Sequence, residues 1–158
     1  MEVIMQHNSL AEVREAVWQG ATSNLRARTL SFRGTGSDFR CIYHTSDGRK
    51  CNFGYAISEE LYDPAWDSGA GSHWKEILKV ISEQTLEDSH SADDADLIHR
   101  LITAHDNAAG AINDHVTKYK AWAEYIRELR RLMLQYPDIL PAPPDWAIIS
   151  NYDFEPVQ

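Results

Sequence analysis

Apolar positions change period several times along this chain, and each change predicts an element. Leu10, Val13, Val17 and Trp18 recur at helical spacing. They follow Ser9-Leu-Ala-Glu12, whose serine-to-glutamate interval is that of a capping box, so a first helix is expected from Ser9 to Gly20 or Asn24. Over Arg28–Phe32 the period falls to two, with Leu30 and Phe32 alternating with polar neighbours as in a half-buried strand. The stretch from Phe39 to Tyr62, FRCIYHTSDGRKCNFGYAISEELY, reads as a β-hairpin, because two runs rich in β-branched and aromatic residues flank Asp47-Gly48. Three strands, roughly 28–33, 39–45 and 49–55, then form an antiparallel meander.

Beyond the sheet the period returns to helical. Ser58 caps a turn through Glu59, Glu60 and Leu61 that Pro64 stops. A flexible loop over 67–72 precedes a helix from about Ser72 through Trp74, Ile77, Leu78 and Ile81. Residues 87–96 read as an acidic, serine-rich connector, and Asp93 and Asp94 open a helix carrying Leu97, Ile98, Leu101 and Ile102 as far as Gly110. The longest helix is expected over 113–136, with Val116, Tyr119, Trp122, Ile126, Leu129 and Leu132 on one stripe before Pro137 ends it. The expected architecture is α+β: a small three-stranded antiparallel sheet packed with about four helices. Residues 1–136 form a single domain, and 137–158 a proline-bearing extended tail. Trp146, Ile148 and Ile149 would be awkward in solvent, so the tail is expected to dock as a strand or arm on the domain or on a partner.

Composition narrows the class. The 158 residues are 43% hydrophobic with five tryptophans, enough for a core without staples. No run approaches the roughly 18 apolar residues of a membrane span, and the opening MEVIMQHNSLAEV lacks a basic-then-apolar signal. With two cysteines only, a cytoplasmic protein is expected. The net charge of -9 is uneven. Between Ile57 and Asp96 there are 11 acids against Lys75 and Lys79, whereas residues 1–50 hold seven bases and five acids. A field this negative repels phosphate and argues against nucleic acid as a direct partner. The acids Glu59, Glu60, Asp63, Asp67, Glu83, Glu87, Asp88, Asp93, Asp94 and Asp96 are therefore candidates for contact with a basic partner, beside the plainer reading of a solvated face.

Candidate chemistry is sparse. There is no Gly-x-Ser-x-Gly elbow, no phosphate loop and no His-Glu-x-x-His. Cys41, Tyr43, Cys51 and Phe53 share a face if the hairpin turn has three residues, and the cysteines part if it has two. Cys41 and Cys51 are nine residues apart in the intervening sequence, wider than the close pairs of zinc ribbons, and read first as packing thiols. The alternative is a zinc site from Cys41, Cys51, His105 and Asp106 serving a small hydrolase. The plainer reading of His105-Asp106 is a histidine near a helix end with the aspartate in a turn.

Cys41-Ile-Tyr43, Gly48, Cys51-Asn-Phe-Gly54-Tyr-Ala-Ile57 and Glu59-Glu60-Leu61-Tyr62-Asp63-Pro64, with the later His105-Asp106 and Trp122, resemble a family of small, largely uncharacterised proteins of bacteriophages, prophages and bacteria. The resemblance spans roughly Ser9 to Met133, and Tyr55 stands where members often carry a third cysteine. It implies a genomic setting, not a reaction: small acidic phage proteins often act by occupying a surface on a host protein. Together with the charge map, the reading favours a binding protein over an enzyme. It would inhibit a host nucleic-acid-handling defence system, in the manner of an anti-CRISPR, by engaging a host protein with a basic surface, with no cofactor. A structural or assembly accessory protein, dimeric through the tail, is the third option.

Overall fold

The structure is a computed structural model that describes residues 6–34, 36–67, 73–84 and 92–151. Among these it holds helices α1 (Leu10–Ala27), α2 (Trp74–Ile81), α3 (Ala92–Asn113), α4 (Lys118–Gln135) and the short α5 (Trp146–Ile149), with strands β1 (Phe32–Arg33) and β2 (Arg40–Cys41). The class is α+β, with most of the mass helical. The expected flexible loop past Asp67 and the first residues of the acidic connector lie outside the described residues.

Helix α1 starts where its capping box places it: Ser9 Oγ accepts from the Glu12 N–H at 3.2 Å, and Glu12 Oε2 accepts from the Ser9 N–H at 3.1 Å. It does not stop at Gly20 or Asn24. A Cβ at Gly20 would lie 2.6 Å from the Tyr55 ring and 2.8 Å from the Asn52 carbonyl, so the glycine permits a close approach rather than a break. Asn24 is buried and turns its amide inward, to the Lys50 carbonyl and Asn52 Oδ1, each at 2.9 Å. Arg28 ends the helix in the left-handed conformation, at φ 52°. Likewise α3 runs through Gly110 to Asn113, and α4 begins only at Lys118, capped by Thr117.

Among the described residues the sheet has two strands, not three: Phe32 pairs with Cys41 and Arg33 with Arg40, antiparallel. The Asp47-Gly48 turn forms, closed by the Thr45 N–H on the Arg49 carbonyl at 2.8 Å, with Gly48 at φ 91° and a bridge between His44 and Lys50. That register leaves a three-residue turn, and Tyr43 meets Phe53 edge-on at 5.9 Å on the shared face. The third arm leaves the ladder because burying Phe53, Ala56 and Ile57 needs a curl, which a 3-10 turn over Phe53–Ala56 supplies. Gly54 makes the curl sterically feasible, since its Cβ would fall 2.1 Å from the Tyr43 carbonyl oxygen.

The core lies between α1, α3 and the 53–56 turn on one side and α3 and α4 on the other. Its centre contains a polar network. Asn52 donates to the Leu101 carbonyl at 2.7 Å, and the Tyr125 hydroxyl donates to the Ala21 carbonyl at 2.7 Å. Tyr55 reaches Asn24 Oδ1 at 3.2 Å. Three helices and the hairpin are thereby held in register by bonds that would be costly to leave unmade.

Residues 137–151 pack on the body of the same chain, through a short helix rather than the expected strand. Leu140 and Ile149 join the core, Trp18 Nε1 donates to the Pro141 carbonyl at 3.3 Å, and Arg26 grips Asp145 bidentately at 2.6 and 2.9 Å. Arg28 Nη1 donates to the Leu25 and Ile149 carbonyls at 2.9 and 3.0 Å. Among the described residues no helix is long and apolar enough to cross a membrane.

Candidate functional site

Two places carry the sequence's candidate residues. The first is where β2 meets α3. One ligating atom from each of Cys41, His105 and Asp106 lies within 4.8 Å of the others. His105 sits in the middle of α3, not near its end, and its ring has no exposure. Its Nε2 accepts the Ser31 backbone N–H at 2.9 Å, which places the ring proton on Nδ1, donated to Asp106 Oδ1 at 2.9 Å. The ring thus bolts α3 to the start of β1 with both nitrogens in use. Cys51 stays out of the group, buried, its sulfur accepting from the Gly54 N–H at 3.3 Å.

The electrostatics suit thiols, not thiolates. Burial, reinforced by the Asp106 charge, pushes the Cys41 thiol far above its ordinary range, and burial does the same to Cys51. A zinc ion here would have to displace the Nδ1 proton and turn a protonated Nε2 toward the Ser31 N–H, setting two donors face to face. The arrangement works as a hydrogen-bond closure, and it leaves no ring nitrogen free to act as a base.

The second place is the loop from Ser58 to Asp67. Ser58 begins it as expected, accepting from the Leu61 N–H on Oγ at 3.3 Å and from the Tyr62 N–H on its carbonyl at 3.0 Å. Pro64 opens a 3-10 turn, Pro64–Asp67, instead of merely stopping one. Glu59, Glu60 and Asp63 are exposed. Asp67 is not: it is 6% exposed, and its carboxylate accepts from the Tyr43 N–H at 2.8 Å, the His44 N–H at 3.5 Å and the Tyr62 hydroxyl. Tyr62 in turn packs on His44, ring centroids 4.4 Å apart. Asp67 is the fastener of this loop and lies beneath its surface.

The remaining acids divide in the same way. Asp94 is buried against Arg14 at 2.6 Å, and Asp96 pairs with Arg100 at 3.1 Å. Glu76, Glu124 and Glu128 pair with Lys79, Arg127 and Arg131. Glu59, Glu60, Asp63, Glu83 and Asp93 are exposed, and among the described residues none has a basic group within 4.0 Å. Glu87 and Asp88 lie outside the described residues. A groove of about 990 Å³ between α3 and α4, floored by Ala104, Ala108 and Ala111, has walls whose charges are largely cancelled by the Arg127–Glu124, Arg131–Glu128 and Arg100–Asp96 pairs.

Sequence reasoning missed Ser31, Asn24 and Asn52, because a polar residue in an apolar run gives no sign of which distant group it will meet. No protein-family model matches the chain, and neither the curated proteins nor the solved structures include a match to it.

Proposed function

We propose that this is a small acidic binding protein, phage- or prophage-encoded, that acts by protein–protein contact on a host protein with a basic surface. The reading extends to inhibition of a host nucleic-acid-handling defence system. One observation carries it: the chain pairs Glu76, Asp94, Asp96, Glu124 and Glu128 with its own lysines and arginines, whereas Glu59, Glu60 and Asp63, grouped on one loop, are exposed with no basic group among the described residues within 4.0 Å. Open carboxylates on a loop fastened from beneath by Asp67 form a preorganised negative face, which lowers the ordering cost of docking an arginine- or lysine-rich surface. The decisive experiment is affinity purification from host lysate at low and high salt. The partner should be retained at low salt and released at high salt. It should be lost when Glu59, Glu60 and Asp63 become Lys, and kept when the paired Glu124 and Glu128 do. Retention by the first variant removes this face from the reading.

The three donors within 4.8 Å at Cys41, His105 and Asp106 favour a second reading, a small zinc hydrolase. It requires near-stoichiometric zinc in protein purified without added metal and a loss of stability in chelator. The hydrogen bonds already held by both nitrogens of His105 place it second.

A further inference from the structure

On the outer face of the β1–β2 ribbon, Arg33 and Arg40 stand directly opposite each other in the antiparallel register, and both are exposed. Like charges so placed repel. Among the described residues neither has a carboxylate within 4.0 Å, so the fold bears this repulsion without relief. The pair belongs to a stretch, residues 26–50, with six bases and two acids, in a chain of net charge -9.

Arg33 also lines one side of a cleft of about 390 Å³ that it shares with His44, Ser46, Glu59, Tyr62 and Pro64. Arg33 of the positive ribbon and Glu59 of the negative loop therefore line one cleft, with Arg40 beside Arg33 on the ribbon and Glu60 and Asp63 further along the loop. The Tyr62 hydroxyl, pushed up chiefly by burial and by its bond to Asp67, feels the charges of both Arg33 and Asp63. The ribbon and the loop do not close on each other, because Asp67 and the ring of His44 hold Tyr62, and with it the loop, in place.

A face with positive and negative halves side by side is complementary to itself under a two-fold rotation, each half meeting the opposite half of the other copy. We infer that this face pairs with a second copy of the chain, Arg33 and Arg40 of each protomer seated against Glu59, Glu60 and Asp63 of the other. A nucleic acid fits the same arginines poorly, since its phosphates would lie beside those three carboxylates. The patch is small and charged, so the dimer is weak and salt-sensitive. It uses the open carboxylates of the proposed function, and the arginines separate the two ideas, because contact with a basic host surface does not need them.

The test is light scattering or sedimentation of the full chain over a concentration series at low and high salt. The wild type should show a monomer–dimer equilibrium at low salt that weakens at least about tenfold at high salt. Arg33→Glu/Arg40→Glu and Glu59→Lys/Glu60→Lys/Asp63→Lys should each be monomeric, and an equimolar mixture of the two should form a heterodimer, because every reversed contact is again opposite in sign. The neutral pair Arg33→Gln/Arg40→Gln, which leaves the ribbon without repulsion, should also be monomeric and at least as stable to denaturant as the wild type. A wild type that stays monomeric at low salt overturns the inference, as does dimerisation of the arginine variants at wild-type strength. Host-partner capture that survives Arg33→Glu/Arg40→Glu leaves the proposed function standing whichever way the dimer test falls.

Discussion

At the Cys41–His105–Asp106 cluster every polar group faces another, whereas on the loop from Ser58 to Asp67 the carboxylates of Glu59, Glu60 and Asp63 face solvent. Both places contain residues that suggest chemistry on paper. The difference lies in what surrounds them. His105 is enclosed and both its nitrogens are committed to Ser31 and Asp106, so its bonds maintain the fold. The loop acids are raised on a base made by Asp67; the Asp63 carboxylate accepts the Ala65 backbone N–H at 2.9 Å, and among the described residues no basic group lies within 4.0 Å of any of the three. Binding capacity is read from what a site leaves unpaired, not from how many reactive residue types it gathers.

Mutation should separate the two regions sharply. The largest effect is expected from His105→Ala, which leaves the Ser31 N–H without its acceptor and opens a cavity beside it; a loss of about 3 kcal/mol is expected from the denaturant midpoint. Next is Asp67→Asn, which exchanges a charged acceptor of three bonds for a neutral amide. It should cost about 1–2 kcal/mol and weaken host-partner capture, although Asp67 itself touches no partner. Neutralising the surface acids, Glu59→Gln/Glu60→Gln/Asp63→Asn, should shift stability by no more than about 0.5 kcal/mol while abolishing capture. If this triple variant unfolded the protein, the distinction between the two regions would fail.

Two gentler perturbations sharpen the comparison. Burial lowers the pKa of His44, partly opposed by its bond to the Gly54 carbonyl, so the unfolded chain binds the extra proton more readily than the folded one. Its contribution is complete above the unfolded value of about 6.5 and falls away as pH drops through that value toward the lower folded one. Midpoints measured between about pH 7.5 and 5.5 should decline, and His44→Gln should flatten the decline. The thiols should be nearly inert to a thiol reagent in the folded protein and react promptly in denaturant, because burial holds both as neutral thiols. Rapid reaction of Cys41 in the native state would reopen the cluster as a chemical site.

Local grammar carried the helices and the turn. The Ser9–Glu12 box, the Trp74–Ile81 stripe, the stop before Pro137 and the presence of a turn at Asp47-Gly48 depend on neighbours within a few residues, and they form as the pattern requires; that the turn has three residues and not two is decided only by the folded register. Gly20 and Gly110 show where such grammar misleads: a glycine reads as a stop, but at Gly20 it serves a ring from another element.

The chain's own order of residues determined that the protein is α+β, acidic, and rich in helices whose apolar faces need one another. Only the folded arrangement decided that the third hairpin arm curls into a 3-10 turn, that Asp67 and Asp94 lie inside while Glu59 and Asp63 lie outside, and that both nitrogens of His105 are committed to bonds within the fold. Periodicity is set by bonds between near neighbours, and it is written into the sequence. Whether a carboxylate meets a cation, a backbone N–H or water depends on groups tens of residues away, and those are brought together only by packing the core.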